Sequence, residues 1–432
     1  MRFFHIADLH LGKYLKDSSL IEDQTDWVEK FLGECGIGEA GAGKEKPDAV
    51  AIAGDVFDSQ DPPSEARMLL DRLITQLSKN GIAVLMIAGN HDIGGSIESA
   101  RNFETHHELL ALNNIHIAAV TNKVIKNIIV NGVCFWLLPY TDRIRIADAM
   151  GVESFADDTE AVKALLDAQE IDHSICNVIL SHQNVVHNGK TVEPGGSESR
   201  STGDRIGGVS PLEDSVFSGF DYVALGHIHS GMPVGGEDSV IKYAGTPLCY
   251  HLDETKYKKN KGYIEVVVEG KRIISKDHKH IEPLRDIEYP TIKANESVID
   301  KIQDVPDGAY VGLKFVDEVA SEELIKNARK NLEDRGCIWL GITRPQSKRT
   351  NNSKTEDVKQ IEGESISDTF IYFYTQQNKG KGPKDEVKEI LKFIDDLNPE
   401  SITADSLDKS KPNYTREYAD KIINELMRII GG

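Results

Sequence analysis

"AVLMIAGNHD", residues 83–92, sets an unbroken apolar run from Ala83 to Ala88 against a glycine and three side chains carrying an amide, an imidazole and a carboxylate. A run this short and this apolar fits a strand covered on both faces, and Gly89 ends it. The same pattern recurs along the chain. "RFFHIA" (2–7) runs into Asp8-Leu9-His10, and "AVAIA" (49–53) into Gly54-Asp55-Val56-Phe57-Asp58. "NVIL" (177–180) runs into Ser181-His182, and "YVAL" (222–225) into Gly226-His227-Ile228-His229. Helical patterns separate the first three runs: "LIEDQTDWVEKFLGE" (20–34) and "PPSEARMLLDRLITQLSKN" (62–80), the second opening on prolines and closing near Gly81. Strand–helix–strand alternation predicts an α/β fold. In such sheets ligands lie beyond the carboxyl ends of the strands, so all five polar clusters are expected on one edge.

At 432 residues the chain is long enough for two or three domains, and 39% hydrophobic with 28% charged residues suits a soluble globular protein. A formal net charge of −20 excludes a generic basic coat for nucleic acid, though not an enzyme whose site carries cations. Five scattered cysteines (Cys35, Cys134, Cys176, Cys249, Cys337) with no C-x-x-C pair make neither a disulfide framework nor a thiolate zinc site, and point to a reducing compartment. The apolar stretch in "MRFFHIADLHLGK" is too short for a signal peptide, and no segment nears the roughly 18 apolar residues of a membrane span. A cytoplasmic location is expected. "GEAGAGKE" (38–45) imitates a phosphate-binding loop, but Glu45 replaces the Ser/Thr, and the order of helix and strand around it is reversed. It reads as a loop.

The predicted organisation is a catalytic domain over 1–285, a small α+β capping domain over 286–345, a polar flexible linker over 346–365 and a helical C-terminal region over 366–432. The small domain rests on "YVGLKFVDE" (310–318), the helical "SEELIKNARKNLEDRG" (321–336) and "CIWLGITRP" (337–345). In "TREYADKIINELMRII" (415–430), Tyr418, Ile422, Leu426 and Ile429 share one helix face.

A lone strand-end Asp is commonly a cap and a lone His commonly structural. Five clusters delivered to one edge are another matter. Asp8, His10, Asp55, Asn90, His182, His227 and His229 offer seven oxygen and nitrogen ligands and no thiolate. Without a cation, such a set leaves like charges and unpaired donors desolvated. Two divalent ions sharing one carboxylate would use all seven. The mixed donors suit manganese or iron better than structural zinc. Two such ions roughly 3.5–4 Å apart can clamp the attacking and leaving oxygens of a phosphoryl displacement, with the water held between them as nucleophile.

"DLH", "GDVFD", "GNHD", "SH" and "GHIH", in that order, resemble the calcineurin-like metallophosphoesterases. Within them, "HIADLHLGKYL", "AGDVFDSQDPPSEAR", "IAGNHD", "FDYVALGHIH" and "IKYAGTPL" resemble the SbcD family of bacterial double-strand-break repair nucleases, densely over 1–285 and more loosely beyond, where "FYTQQ" (373–377) is similar. The resemblance implies a four-layer α/β/β/α sandwich and a manganese-dependent DNA exonuclease and endonuclease with a metal-bridging hydroxide. It implies Asp8, His10, Asp55 and His229 on one metal, and Asp55, Asn90, His182 and His227 on the other. His91 would stabilise or protonate the scissile phosphate's leaving oxygen, and Asp92 would orient His91; the alternative for Asp92 is a plain helix cap. Archaeal relatives carry a histidine at the position of Asp58, which here is expected to brace a ligand histidine from outside.

The resemblance also implies an SbcC-like SMC ATPase partner and a homodimer within a heterotetramer. Helices at 62–80 and 96–112 are candidates for the dimer contact or for core. Helix 415–430 either docks on the partner or packs back on 366–397. Lys13, Arg143 and Arg205 are candidate DNA contacts, with Lys16, Arg145 and Arg200 nearby. A small-molecule phosphodiesterase is the alternative. Phosphoprotein enzymes of the superfamily resemble "GNHE" rather than "GNHD", and minimal phosphodiesterases lack an appended region like 286–432. A non-catalytic scaffold would be expected to have lost a ligand, and none is missing.

Overall fold

A computed structural model describes residues 1–93, 100, 101, 103, 104, 114–190, 210–294, 296–317 and 319–344. The chain divides into two compact units, 1–345 and 346–432, and the second lies outside the described residues. The expected linker, helix 415–430, most of helix 96–112, Arg200 and Arg205 therefore fall outside them too.

Two six-stranded mixed sheets form the body. In the first, Arg2–Ile6, Ala49–Ala53, Ala83–Ile87 and Ile115–Ala118 run parallel in that order, and the hairpin Gly262–Glu269/Arg272–His280 adds antiparallel beyond Arg2–Ile6. In the second, Val133–Leu138, Cys176–His182, Tyr222–Gly226 and Ile241–Tyr243 are parallel, closed by antiparallel Lys126–Val130 and Met232–Pro233.

The period-two alternation of the strands sorts the core into layers. In "AVAIA", Ala49, Ala51 and Ala53 face the second sheet, meeting Phe135, Val178, Leu180 and Ala224. Val50 and Ile52 face outward onto the helices Ile21–Glu34 and Ser64–Lys79, which bury Trp27, Phe31, Leu70, Leu73 and Leu77. The outer face of the second sheet carries Trp136, Ile179 and Val223 against Ile146, Val162 and Leu165 of helices Arg143–Met150 and Asp158–Asp167. Asp142 and Asp157 cap those helices, accepting from Ile144 and Arg145 amides and from the Glu160 amide. The result is an α/β/β/α sandwich.

Residues 287–343 add a smaller two-layer element of parallel strands. Tyr310–Phe315 is central, with Ile338–Thr343 on one side and Ile287–Glu288 and Thr291–Ile292 on the other. Pro290, which has no amide hydrogen, interrupts the latter pair. Helices Val298–Ile302 and Glu322–Asp334 close a core around Val311, Leu313, Phe315, Ala328 and Leu332. The decoy at 38–45 is a loop with one short 3-10 turn, Glu39–Gly41. Among the described residues no helix is long and apolar enough to cross a membrane.

His5 is fully buried between the sheets, its Nδ1 3.1 Å from the Tyr222 hydroxyl and its Nε2 3.2 Å from the Leu225 carbonyl. A carbonyl only accepts, so Nε2 carries the proton. Burial lowers the His5 pKa from the ordinary 6.5 to about 3, against the pull of the Leu225 carbonyl. The unfolded chain therefore takes up a proton that the folded chain refuses, and stability falls as pH drops from 6.5 toward 3. Urea titrations across that window should show His5→Gln losing stability less steeply than wild type, by up to about 1.4 kcal/mol per pH unit. Equal slopes would remove His5 from the acid response.

Candidate metal centre

Every polar cluster lies just past the carboxyl end of a buried strand. The first two loops are zipped together by backbone bonds: the Asp8 amide donates to Gly54 O, His10 to Asp55 O and Leu11 to Val56 O, at 2.9–3.0 Å. Asp8, His10, Asp55 and His227 all adopt positive φ (52°, 42°, 48° and 100°), a region that non-glycine residues seldom occupy. The glycines beside them are needed for close approach. A Cβ on Gly226 would lie 2.0 Å from Ala53 O and 2.8 Å from His182 Nδ1; one on Gly89 would lie 2.2 Å from Asp55 Oδ1. Neither position has room for a side chain.

Asp55 is the hub. Its Oδ1 accepts from the His91 amide at 2.9 Å. Its Oδ2 stands 3.3 Å from His182 Nε2, 3.6 Å from His10 Nε2 and 4.0 Å from His91 Nε2. His10 Nε2 is in turn 3.1 Å from His229 Nε2, and Asn90 Oδ1 is 3.1 Å from His182 Nε2. Three overlapping groups could hold a cation: Asp8, His10 and His229; Asp8, Asp55 and His182; and His10, Asp55 and His91. His227 joins none of them; its ring lies 5.4 Å from that of His182, and its amide donates to Asp8 Oδ1 at 2.9 Å.

The electrostatics fit a cation. Asp8 is fully buried and its Oδ2 has no hydrogen-bond partner among the described residues. Burial, and to a smaller extent the Asp55 charge, raise its pKa to about 7 against the pull of His182 and His229. Burial opposes ionisation of Asp55 as well, yet His182 and His10 hold it well below the usual carboxylate range. Burial would lower His182, but Asp55 and Asp8 carry it to about 9. His10 has the opposite fate, drawn down to about 4 by burial. An orphaned carboxylate oxygen among neutral and charged imidazoles is a donor set short of positive charge, and divalent cations supply it.

The imidazoles are held from behind, leaving Nε2 inward. His182 Nδ1 donates to Ala53 O at 2.8 Å. His10 Nδ1 lies 3.2 Å from Asp58 Oδ1, which also takes Lys13 Nζ at 2.7 Å; these partners outweigh burial and hold Asp58 at about 2. His229 Nδ1 lies 3.5 Å from Glu254 Oε1. Gln24, on helix Ile21–Glu34, ties the His10 loop by donating to His10 O at 2.8 Å and accepting from the Gly12 amide at 2.9 Å.

A calcineurin-like phosphoesterase family model matches residues 1–231. The chain belongs to that family. The fold and the clustered His and Asp groups make it a metal-dependent phosphoesterase.

One expectation for the phosphoesterase changes. Asp92 does not orient His91. Its carboxylate accepts from the Phe57 and Gly89 amides at 2.8 Å and from the Val56 amide at 3.2 Å, stapling the "GDVFD" loop to the "GNHD" loop. Three converging amide hydrogens outcompete one imidazole for a buried carboxylate. His91 is held instead by the Asp58 carbonyl, 2.9 Å from its Nδ1. The guanidinium of Arg143, a candidate DNA contact, donates to Ala156 O at 2.7 Å. Glu254, Lys261 and Gln24 were missed as contributors. Glu254 and Lys261 sit in "LDETKYKKN" and the residue after it, a charged run with no periodicity to mark them, and Gln24 is one polar residue inside an amphipathic helix.

Proposed function

We propose that this phosphoesterase is a manganese-dependent DNA nuclease of the SbcD type, an exonuclease on duplex ends and an endonuclease on hairpin or single-stranded DNA, working with an SbcC-like SMC ATPase in DNA repair and recombination. The observation that carries the chemistry is Asp55 Oδ2 ringed by the Nε2 atoms of His182, His10 and His91, the last with a side chain 41% exposed while those of Asp8, His10, Asp55, His182 and His229 are 0–6% exposed. The DNA assignment rests on the ordered motifs of 1–285.

Asp8, His10, Asp55 and His229 would hold one cation, and Asp55, Asn90, His182 and His227 the other. When bound, the pair supplies Lewis-acid polarisation of the phosphate and an acidified water. The chain's own residues do the rest. Asp58 O accepts a hydrogen bond from His91 Nδ1 and fixes the ring, so Nε2 is the atom that, in the doubly protonated imidazolium, would deliver a proton to the departing 3′ oxygen and leave the neutral Nδ1–H ring behind. Lys13, paired with Asp58 beside His10, would meet a phosphate flanking the scissile one. At −20 the chain repels DNA overall, which is why a partner that grips DNA belongs to the reading.

Two substrates side by side test this: an end-labelled hairpin duplex, with and without the ATPase and ATP, and bis-p-nitrophenyl phosphate, all with manganese. DNA cleavage stimulated by the ATPase is the expected result. Turnover of the small ester with DNA untouched, partner present, would move the enzyme to the small-molecule branch.

A further inference from the structure

The family match ends at residue 231, two residues past His229. The structure places a buried pair from beyond that point directly behind the last candidate ligand. Glu254 is 0% exposed and the Lys261 side chain 3% exposed, with Lys261 Nζ 2.6 Å from Glu254 Oε2. Each member of the pair also reaches His229 itself. Glu254 Oε1 faces His229 Nδ1 at 3.5 Å, and Glu254 Oε2 also accepts from the Tyr250 amide at 3.0 Å. Lys261 Nζ donates to His229 O at 2.9 Å and to Thr246 Oγ1 at 2.6 Å. The Thr246 amide also donates to His229 O, at 3.1 Å. His229 is thus gripped at both its ring and its carbonyl by one ion pair.

We propose that Glu254 and Lys261 are positioning residues that fix the ring orientation and proton placement of His229, and through it the affinity of the cation shared with Asp8 and His10. This rests on the two-cation reading of the centre. A carboxylate facing Nδ1 requires the proton there, which leaves the Nε2 lone pair directed at His10 Nε2, 3.1 Å away, where a cation would sit. Burying a charge pair costs desolvation that packed apolar side chains would avoid. The pair's position accounts for that cost: Lys261 keeps Glu254 charged where no water reaches, and both are bonded to the same residue. The hairpin strand Gly262–Glu269, second from the edge of the first sheet, begins immediately after Lys261.

Manganese titration calorimetry on the full chain tests this, in wild type, Glu254→Asp, and the double variant Glu254→Gln/Lys261→Met. The double variant is near-isosteric and leaves no buried charge unpaired. Wild type should bind two ions; fewer would overturn the two-cation reading itself. The double variant should weaken one of the two ions by about 10–100-fold and leave the other unchanged. Glu254→Asp, which keeps the charge but draws it back, should fall between. Long-range 1H–15N spectra of the metal-free protein should show His229 protonated at Nδ1 in wild type and in Glu254→Asp, and a mixture of tautomers in the double variant. Both ions bound as tightly as in wild type, or both weakened equally, would overturn the positioning role. If the double variant does not fold, Glu254→Asp decides: unchanged manganese affinity would overturn it equally.

Discussion

Asp55→Ala is expected to bind neither cation and to lose hydrolysis of both DNA and bis-p-nitrophenyl phosphate by more than about 10³-fold, well beyond the ~10–100-fold typical of losing an outer partner. The expectation follows from the division of labour between its two oxygens. Oδ1 takes the His91 amide, and Oδ2 faces the Nε2 atoms of His182, His10 and His91 within 3.3–4.0 Å. Removing the carboxylate leaves three imidazoles facing a void and frees the His91 backbone. Asp55→Asn separates these effects, because its amide oxygen still accepts from His91 while the charge is gone. Elemental analysis for manganese, with rates on both substrates, reads the result. An alanine variant that retained two ions and full activity would remove Asp55 from the centre.

His91→Ala is expected to keep two manganese ions per chain while DNA cleavage falls by about 10²–10⁴-fold, the range for losing a general acid. The His91 ring is the outlying member of its cluster, 4.0 Å from Asp55 Oδ2, half-exposed and hydrogen-bonded at Nδ1. The substrates should separate its role further. A p-nitrophenolate departs without needing a proton, so bis-p-nitrophenyl phosphate should lose far less rate than DNA. Equal losses on the two, or loss of an ion, would show that His91 does something other than protonate the leaving group.

The parts of this centre that could be read from sequence were those standing at the end of something periodic. Asp8, Asp55, Asn90, His182 and His227 each follow an apolar run, and parallel pairing of those runs brings their ends to one edge. What held them was harder to read. Asp58 was within reach because it sits three residues from Asp55 in the same loop. Glu254 lies 25 residues from His229 and Lys261 lies 32, and their pairing is a product of tertiary packing. The resemblance pairs Asp92 with His91, yet a four-residue helix, Asn90–Ile93, turns neighbouring side chains in different directions, and the Asp92 carboxylate meets the amides of Val56, Phe57 and Gly89.

The alanine stripe Ala49, Ala51 and Ala53 has a consequence for how such an enzyme diversifies. Methyl groups are the thinnest chiral spacers a strand can offer, and here they lie between two plates whose rims carry the reacting groups. Spacing at the rim is inherited from thickness in the middle. A lineage can therefore rebuild outer helices, loops and appended units freely while this interior stripe stays small, and drift in specificity should accumulate on the outside of a gauge that chemistry does not allow to widen.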